Sequence, residues 1–140
     1  MLSYAEVIDS DGQAQVLYDL LRVRKYSISH RGMPDYDEHM EFVRNHPYRT
    51  WQIISELDKP VGTFYLTNDN AIGINLICDR ANIYKNVISY IFDNWSPLGA
   101  VKSIRPSFFF IRVPIANNCL ADVVVELKGA LLEKSFIFTN

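Results

Sequence analysis

The chain has little glycine, and none of it is arranged for phosphate binding. Six glycines occur in 140 residues, and no G-x-x-x-x-G-K-[ST] or G-x-G-x-x-G pattern is among them, which excludes nucleotide sites of those two kinds. Cysteine is scarce as well. Cys78 and Cys119 stand apart with no C-x-x-C neighbour, which argues against structural zinc and for a reduced, cytoplasmic protein. Charge of neither sign predominates: 14 basic against 16 acidic side chains leave −2, without the basic footprint that nucleic acid requires. Apolar runs such as Phe108 to Ile111 and Val123 to Val125 are too short for a bilayer. Met1 to Glu6 lacks the basic and apolar regions of a signal peptide.

Three histidines, His30, His39 and His46, follow one another at spacings of nine and seven. Neither spacing matches a helical metal motif such as H-x-x-x-H, and no carboxylate cluster accompanies them, so no metal is expected. Ser27 and Ser29 belong to no G-x-S-x-G elbow, which removes the hydrolase reading.

What is present is apolar bulk. A hydrophobic content of 49%, with 13% aromatic residues, predicts one folded domain over residues 1–140 with a substantial core. Tyr4 to Asp9 is a strand candidate. Ala14, Leu17, Tyr18 and Leu21 recur at helical spacing through about Arg24. Asp35 with Glu38 three residues on opens a second helix, ended by His46-Pro47. Tyr48 to Glu56 and Val61 to Thr67 form a hairpin around Leu57 to Pro60, and Asn68-Asp69-Asn70 turns into a third strand, Ala71 to Ile77. Tyr84, Val87, Ile88, Ile91 and Trp95 make a helical stripe. Phe108 to Val113 follows as a strand buried on both faces. Leu120 to Leu127 is a helix capped by Asn117 or Asn118, and Leu131 to Phe138 a closing strand. The predicted class is mixed α/β in the order β-α-α-β-β-β-α-β-α-β.

Two segments carry a resemblance. The hairpin leading into Ala71-Ile72-Gly73-Ile74, followed by Asn118, Ala121 and Gly129, resembles the GNAT acetyltransferase superfamily, which implies the acyl-coenzyme A N-acyltransferase fold. Leu17 to Leu21, Ile28-Ser29-His30, Met33-Pro34 through His39, and Asn45 to Trp51 are similar to small bacterial members. The resemblance implies that the strands Ala71 to Ile77 and Phe108 to Val113 part, and that the backbone of Ile74, Asn75, Leu76 and Ile77 holds pantetheine. The pyrophosphate would then meet Arg80, Ala81, Asn82 and Ile83 at a helix start, with Lys85 nearby and Asn118 on the facing helix.

The chain departs from that pattern twice. Cys78-Asp79-Arg80-Ala81-Asn82-Ile83 replaces the glycine-bearing phosphate loop, with Asp79 where phosphate would lie unless it caps the helix. Val125 stands where many members carry a proton-donating tyrosine, Ala71 where a glutamate is frequent, and Ala130 where an aromatic follows the glycine. The candidate bases are His30, in a loop bordering the acceptor pocket, and Asp69, which could instead serve its turn. Asp35, Asp37, Glu38 and Glu41 cap a helix or bind a cationic acceptor.

Two functions stay open. One is transfer of an acetyl group from acetyl-coenzyme A to a small amine or amino-sugar acceptor. The other is a catalytically degenerate GNAT-fold binding or assembly module. Neither nucleic acid nor membrane is an expected partner, and Leu131 to Phe138 is available for pairing in a homodimer.

Overall fold

The computed structural model describes residues 1–8, 11–26 and 33–139. In chain order these form β1 (Leu2–Glu6), α1 (Asp11–Val23), α2 (Tyr36–Arg44), β2 (Thr50–Glu56), β3 (Lys59–Leu66), β4 (Ala71–Leu76), α3 (Ala81–Asn94), β5 (Phe110–Ile111) and α4 (Asn118–Glu126). The strands lie side by side as β1-β2-β3-β4-β5. Neighbours are antiparallel through β4, and β5 runs parallel to β4.

Local chemistry explains most of the boundaries. Leu57 and Asp58 both take left-handed backbone, with φ of 50° and 65°, which gives β2 and β3 a tight turn matched to the twist of the strands. Asp35 caps α2, accepting the Glu38 N–H at 2.8 Å, as the spacing predicts. Asn117 caps α4, accepting the Leu120 N–H at 3.0 Å.

Strand alternation sorts the core into two clusters, one on each face of the sheet. Trp51 and Ile53 pack with Ala14, Leu17 and Leu20 of α1 and Val43 of α2. Phe64, Leu66, Ile72, Ile74 and Leu76 pack with Ile83, Tyr84, Val87, Ile88 and Ile91 of α3 and Leu120 and Val123 of α4. Each fully covered side chain of this size contributes about 2 kcal/mol. On the first face Tyr65 lies across the strand from Gly73. A Cβ at Gly73 would fall 2.1 Å from the Tyr65 ring, and that ring is stacked at 4.2 Å on Tyr48.

The structure corrects the sequence reading in three places. Residues 131–139 form no strand: Leu131, Leu132, Phe136, Ile137 and Phe138 are all exposed. Apolar β-formers need a ladder to join, and β5 offers only two residues. The strand expected at Phe108 to Val113 shrinks to that half-buried pair, because Pro114 lacks an N–H and the chain turns there, Asn117 N–H bonding the Pro114 C=O at 2.8 Å. Asp79 does not cap α3. Arg80 occupies the cap position without a side-chain bond, and the Asp79 carboxylate accepts the Tyr26 hydroxyl at 2.9 Å.

Candidate functional site: the cleft between β4 and β5

The ladder joining β4 to β5 has two rungs, Ala71 with Phe110 and Ile72 with Ile111. Beyond them β4 continues to Leu76 while the other chain leaves toward α4, so the strands part. Asn70 pins the vertex. It is wholly buried, with a left-handed φ of 73°. Its backbone carbonyl accepts the Phe110 N–H at 3.0 Å, while its side chain donates to the carbonyls of Leu98 and Pro106 and accepts the Leu98 N–H. One residue thus fixes the start of β5 and the long loop before it.

Alternation decides which peptide groups face the gap. Ala71 C=O and Ile77 N–H bond back to the β3 side, at Thr67 and Val61, so odd-numbered residues spend their polar groups on β3. Even-numbered residues point the other way: Asn70 C=O meets Phe110, and Leu76 C=O accepts the Lys25 N–H at 3.0 Å. Between them Ile74 turns its N–H and C=O toward a gap that β5 no longer fills. The resulting cleft holds about 390 Å³ and is lined along its length by Ala71 to Leu76.

Its polar side chains gather in two groups. Near the vertex, Thr67 donates to Asp69 through a short hydrogen bond and accepts the Ala71 N–H at 2.9 Å. Asp69 is the one carboxylate lining the cleft among the described residues, and Arg112, set over the Phe110 ring at 5.1 Å, the one cation. Burial raises the Tyr65 phenol above its ordinary range, against the opposing effect of Arg112 and Arg24. On the α3 and α4 side, Asn117 donates to the Tyr84 hydroxyl at 3.1 Å, both residues lining the wall. Tyr26 closes the far end. Its bond to Asp79 raises its own phenol and engages the anion that the sequence left facing phosphate.

The residues singled out from the sequence divide accordingly. Asp69, Ile74, Asn75 and Leu76 line the cleft. The backbone of Asn75 and Ile77 is turned to β3, so of that segment only Ile74 and the Leu76 N–H face the gap. Ala81 and Asn82 are exposed at the start of α3, and Ile83 is buried. Arg80 forms a two-pronged pair with Glu56, both bonds 2.9 Å, and Lys85 pairs with Glu126 at 2.9 Å. The mutual bonding of Arg80 and Glu56 raises the guanidinium and lowers the carboxyl. Asn118 is exposed, and its neighbour Asn117 lines the cleft instead. Val125 is 69% exposed on α4. His30 lies outside the described residues.

Sequence reading missed Asn70, Tyr84, Tyr26 and Arg112. Asn70 was one letter of a turn signal, and Tyr84 one member of an apolar stripe. A buried tyrosine needs a partner for its hydroxyl, and that was the available clue. His39 is buried, its Nε2 within 3.0 Å of the Ala14 carbonyl. Among the described residues no group of three His, Cys, Asp or Glu side chains could hold a metal ion, and no helix is long and apolar enough to cross a membrane.

Two solved structures share this architecture over nearly the whole chain. A possible acetyltransferase from Clostridium difficile 630 superposes with a TM-score of 0.58 at 14% identity, covering 100% of this chain and 97% of that one. An aminoglycoside acetyltransferase, meta-AAC0020, from an uncultured soil metagenomic sample, in complex with sisomicin, gives a TM-score of 0.64 at 13% identity, covering 99% and 95%. No family model matches the chain, and no curated protein does. At these identities the likeness is one of fold. The chain has an acetyltransferase fold, in keeping with the GNAT resemblance of its sequence.

Proposed function

We propose that this chain is an N-acetyltransferase that draws its acetyl group from acetyl-coenzyme A and delivers it to an amine of a small acceptor, an amino sugar by preference. The observation that carries the reading is the open edge of Ile74. A peptide N–H and C=O left unpaired on a strand edge favour an extended, amide-bearing ligand, as an added strand does. Pantetheine is such a ligand. The first N–H groups of α3, at Ala81 and Asn82, suit its pyrophosphate, because Arg80 supplies no capping side chain.

At the vertex, Asp69 gives the cleft a negative charge suited to an ammonium group, and its carboxylate is the candidate acceptor of the proton lost by the attacking nitrogen. His30 is a second candidate for that role. The neighbour solved with sisomicin supports an amino-sugar acceptor by analogy of fold.

A second reading, a binding module without catalysis, is favoured by the cations. Arg80 and Lys85 are already paired with Glu56 and Glu126. A thermal shift with coenzyme A separates the two. Ligand at a hundred times its dissociation constant should add about 2.7 kcal/mol of stability, and an unmoved transition at millimolar ligand favours the module.

The reading includes a homodimer. Five large apolar side chains between Leu131 and Phe138 are exposed. Buried in a two-fold pair, they would contribute to an interface on the order of 1,200–2,000 Å². Sedimentation should show a dimer that a chain ending at Gly129 no longer forms.

A further inference from the structure

The vertex end of the cleft carries two opposite charges that do not meet. Asp69 stands two residues before the first rung of the β4–β5 ladder and Arg112 one residue past the last, and both line the cleft. Asp69 is bonded to Thr67. Arg112 lies over the Phe110 ring and, among the described residues, has neither a carboxylate in ion-pair reach nor a hydrogen-bond acceptor. Arg22, Arg80 and Lys85, by contrast, are each held by a carboxylate. Tyr65 lies near Arg112. Burial raises its phenol, and the charges of Arg112 and Arg24 work against that rise, so guanidinium and phenol share one neighbourhood. Gly73 lets the Tyr65 ring lie across β4, since a Cβ there would strike the hydroxyl-bearing carbon, and Tyr48, stacked at 4.2 Å, holds the ring in place. Tyr65 lines the same cleft, and its hydroxyl has no hydrogen-bond partner among the described residues.

We infer that Arg112 and Tyr65 form an anion subsite, so that the amine taken by this cleft also carries a carboxylate or a phosphate. The inference rests on the acetyl-transfer reading above and narrows its acceptor class. Paired with each other, Asp69 and Arg112 would leave the vertex neutral. Kept apart, they suit a ligand that bears both an ammonium group and an anion. The guanidinium offers N–H donors and no acceptor, and the phenol adds an O–H, a set matched to oxyanions. The Phe110 ring beneath the guanidinium favours its charge. This subsite is distinct from the pyrophosphate position. Arg112 adjoins the ladder, whereas the start of α3 and the Tyr26–Asp79 bond lie at the other end of the cleft.

Three amines built on one sugar test the subsite: glucosamine, muramic acid, which adds a carboxylate, and glucosamine 6-phosphate. Calorimetry at low salt, with coenzyme A present, reads the affinity of each. The better of the two acidic amines should bind the wild type about tenfold more tightly than glucosamine. Its identity tells carboxylate from phosphate, and the preference should shrink as salt is added. Arg112→Gln should bring the ratio of affinities to about one. Tyr65→Phe, which keeps the ring and its stacking, should lower the ratio about threefold. Arg112 is exposed, so its replacement should leave the fold intact. Failure of both acidic amines to outbind glucosamine, or a preference that survives Arg112→Gln, overturns the inference. Thiol release from acetyl-coenzyme A with the same amines judges the reading beneath it. Equal transfer to all three would sink the subsite and leave acetyl transfer standing. An Arg112-dependent binding preference without transfer would keep the subsite and sink the transferase.

Discussion

At the vertex of the cleft, Asn70, Thr67 and Asp69 are tied to one another's loops by side-chain bonds. At the far end, around residues 78–85, the chain offers peptide N–H groups while Arg80, Lys85 and Asp79 are each engaged with a partner. The vertex holds polar groups in fixed directions where bonds would be made and broken. The far end pairs its polar side chains with one another, Tyr26 with Asp79 and Tyr84 with Asn117, and its helix start has no side-chain cap. On the acyl-transfer reading, the difference teaches that the sheet edge would set ligand geometry and that helix N–H groups would meet the phosphate, Arg80 and Lys85 being already paired.

The comparison breaks most severely at Asn70. Asn70→Ala removes three buried side-chain bonds and puts a Cβ residue without a local polar group into left-handed backbone, which should cost about 4 kcal/mol in urea unfolding. Asn70→Gly keeps the backbone region open and should lose about 1 kcal/mol less. An equal loss in both would mean that the side chain alone holds the vertex. Gly73→Ala drives a methyl into the Tyr65 ring, which Tyr48 prevents from yielding freely. We expect about 2 kcal/mol of destabilisation by the same measurement. The far end responds more mildly. Glu56→Gln releases Arg80, and coenzyme A should bind about threefold more tightly by calorimetry, the freed guanidinium being exposed and screened by salt. Weaker binding would place Arg80 outside the phosphate site.

The sequence showed what is written locally. The Asp35 cap with Glu38 three residues on, the turn at Leu57 and Asp58, and the apolar stripe of α3 each depend on residues a few positions apart. The candidate site was legible in outline, since β4 and its companion strand were named together. Its details were not. Whether Ile74 or Asn75 faces the gap depends on strand register. Arg80 with Glu56, Lys85 with Glu126 and Tyr26 with Asp79 are pairs 24, 41 and 53 residues apart, and only the folded chain brings them together. The missing closing strand has the same cause: Leu131 to Phe138 has strand composition, but no partner ladder for it can be read from composition.

Amide hydrogen exchange along β4 in the full chain, with and without saturating coenzyme A, tests the account most directly. The Ile74 N–H, which has no strand to pair with among the described residues, should exchange quickly in the free protein and at least tenfold more slowly in the complex, while Gly73 and Asn75, already bonded to β3, change little. Unaltered exchange at Ile74 with coenzyme A bound would show that the parted strands do not hold the ligand.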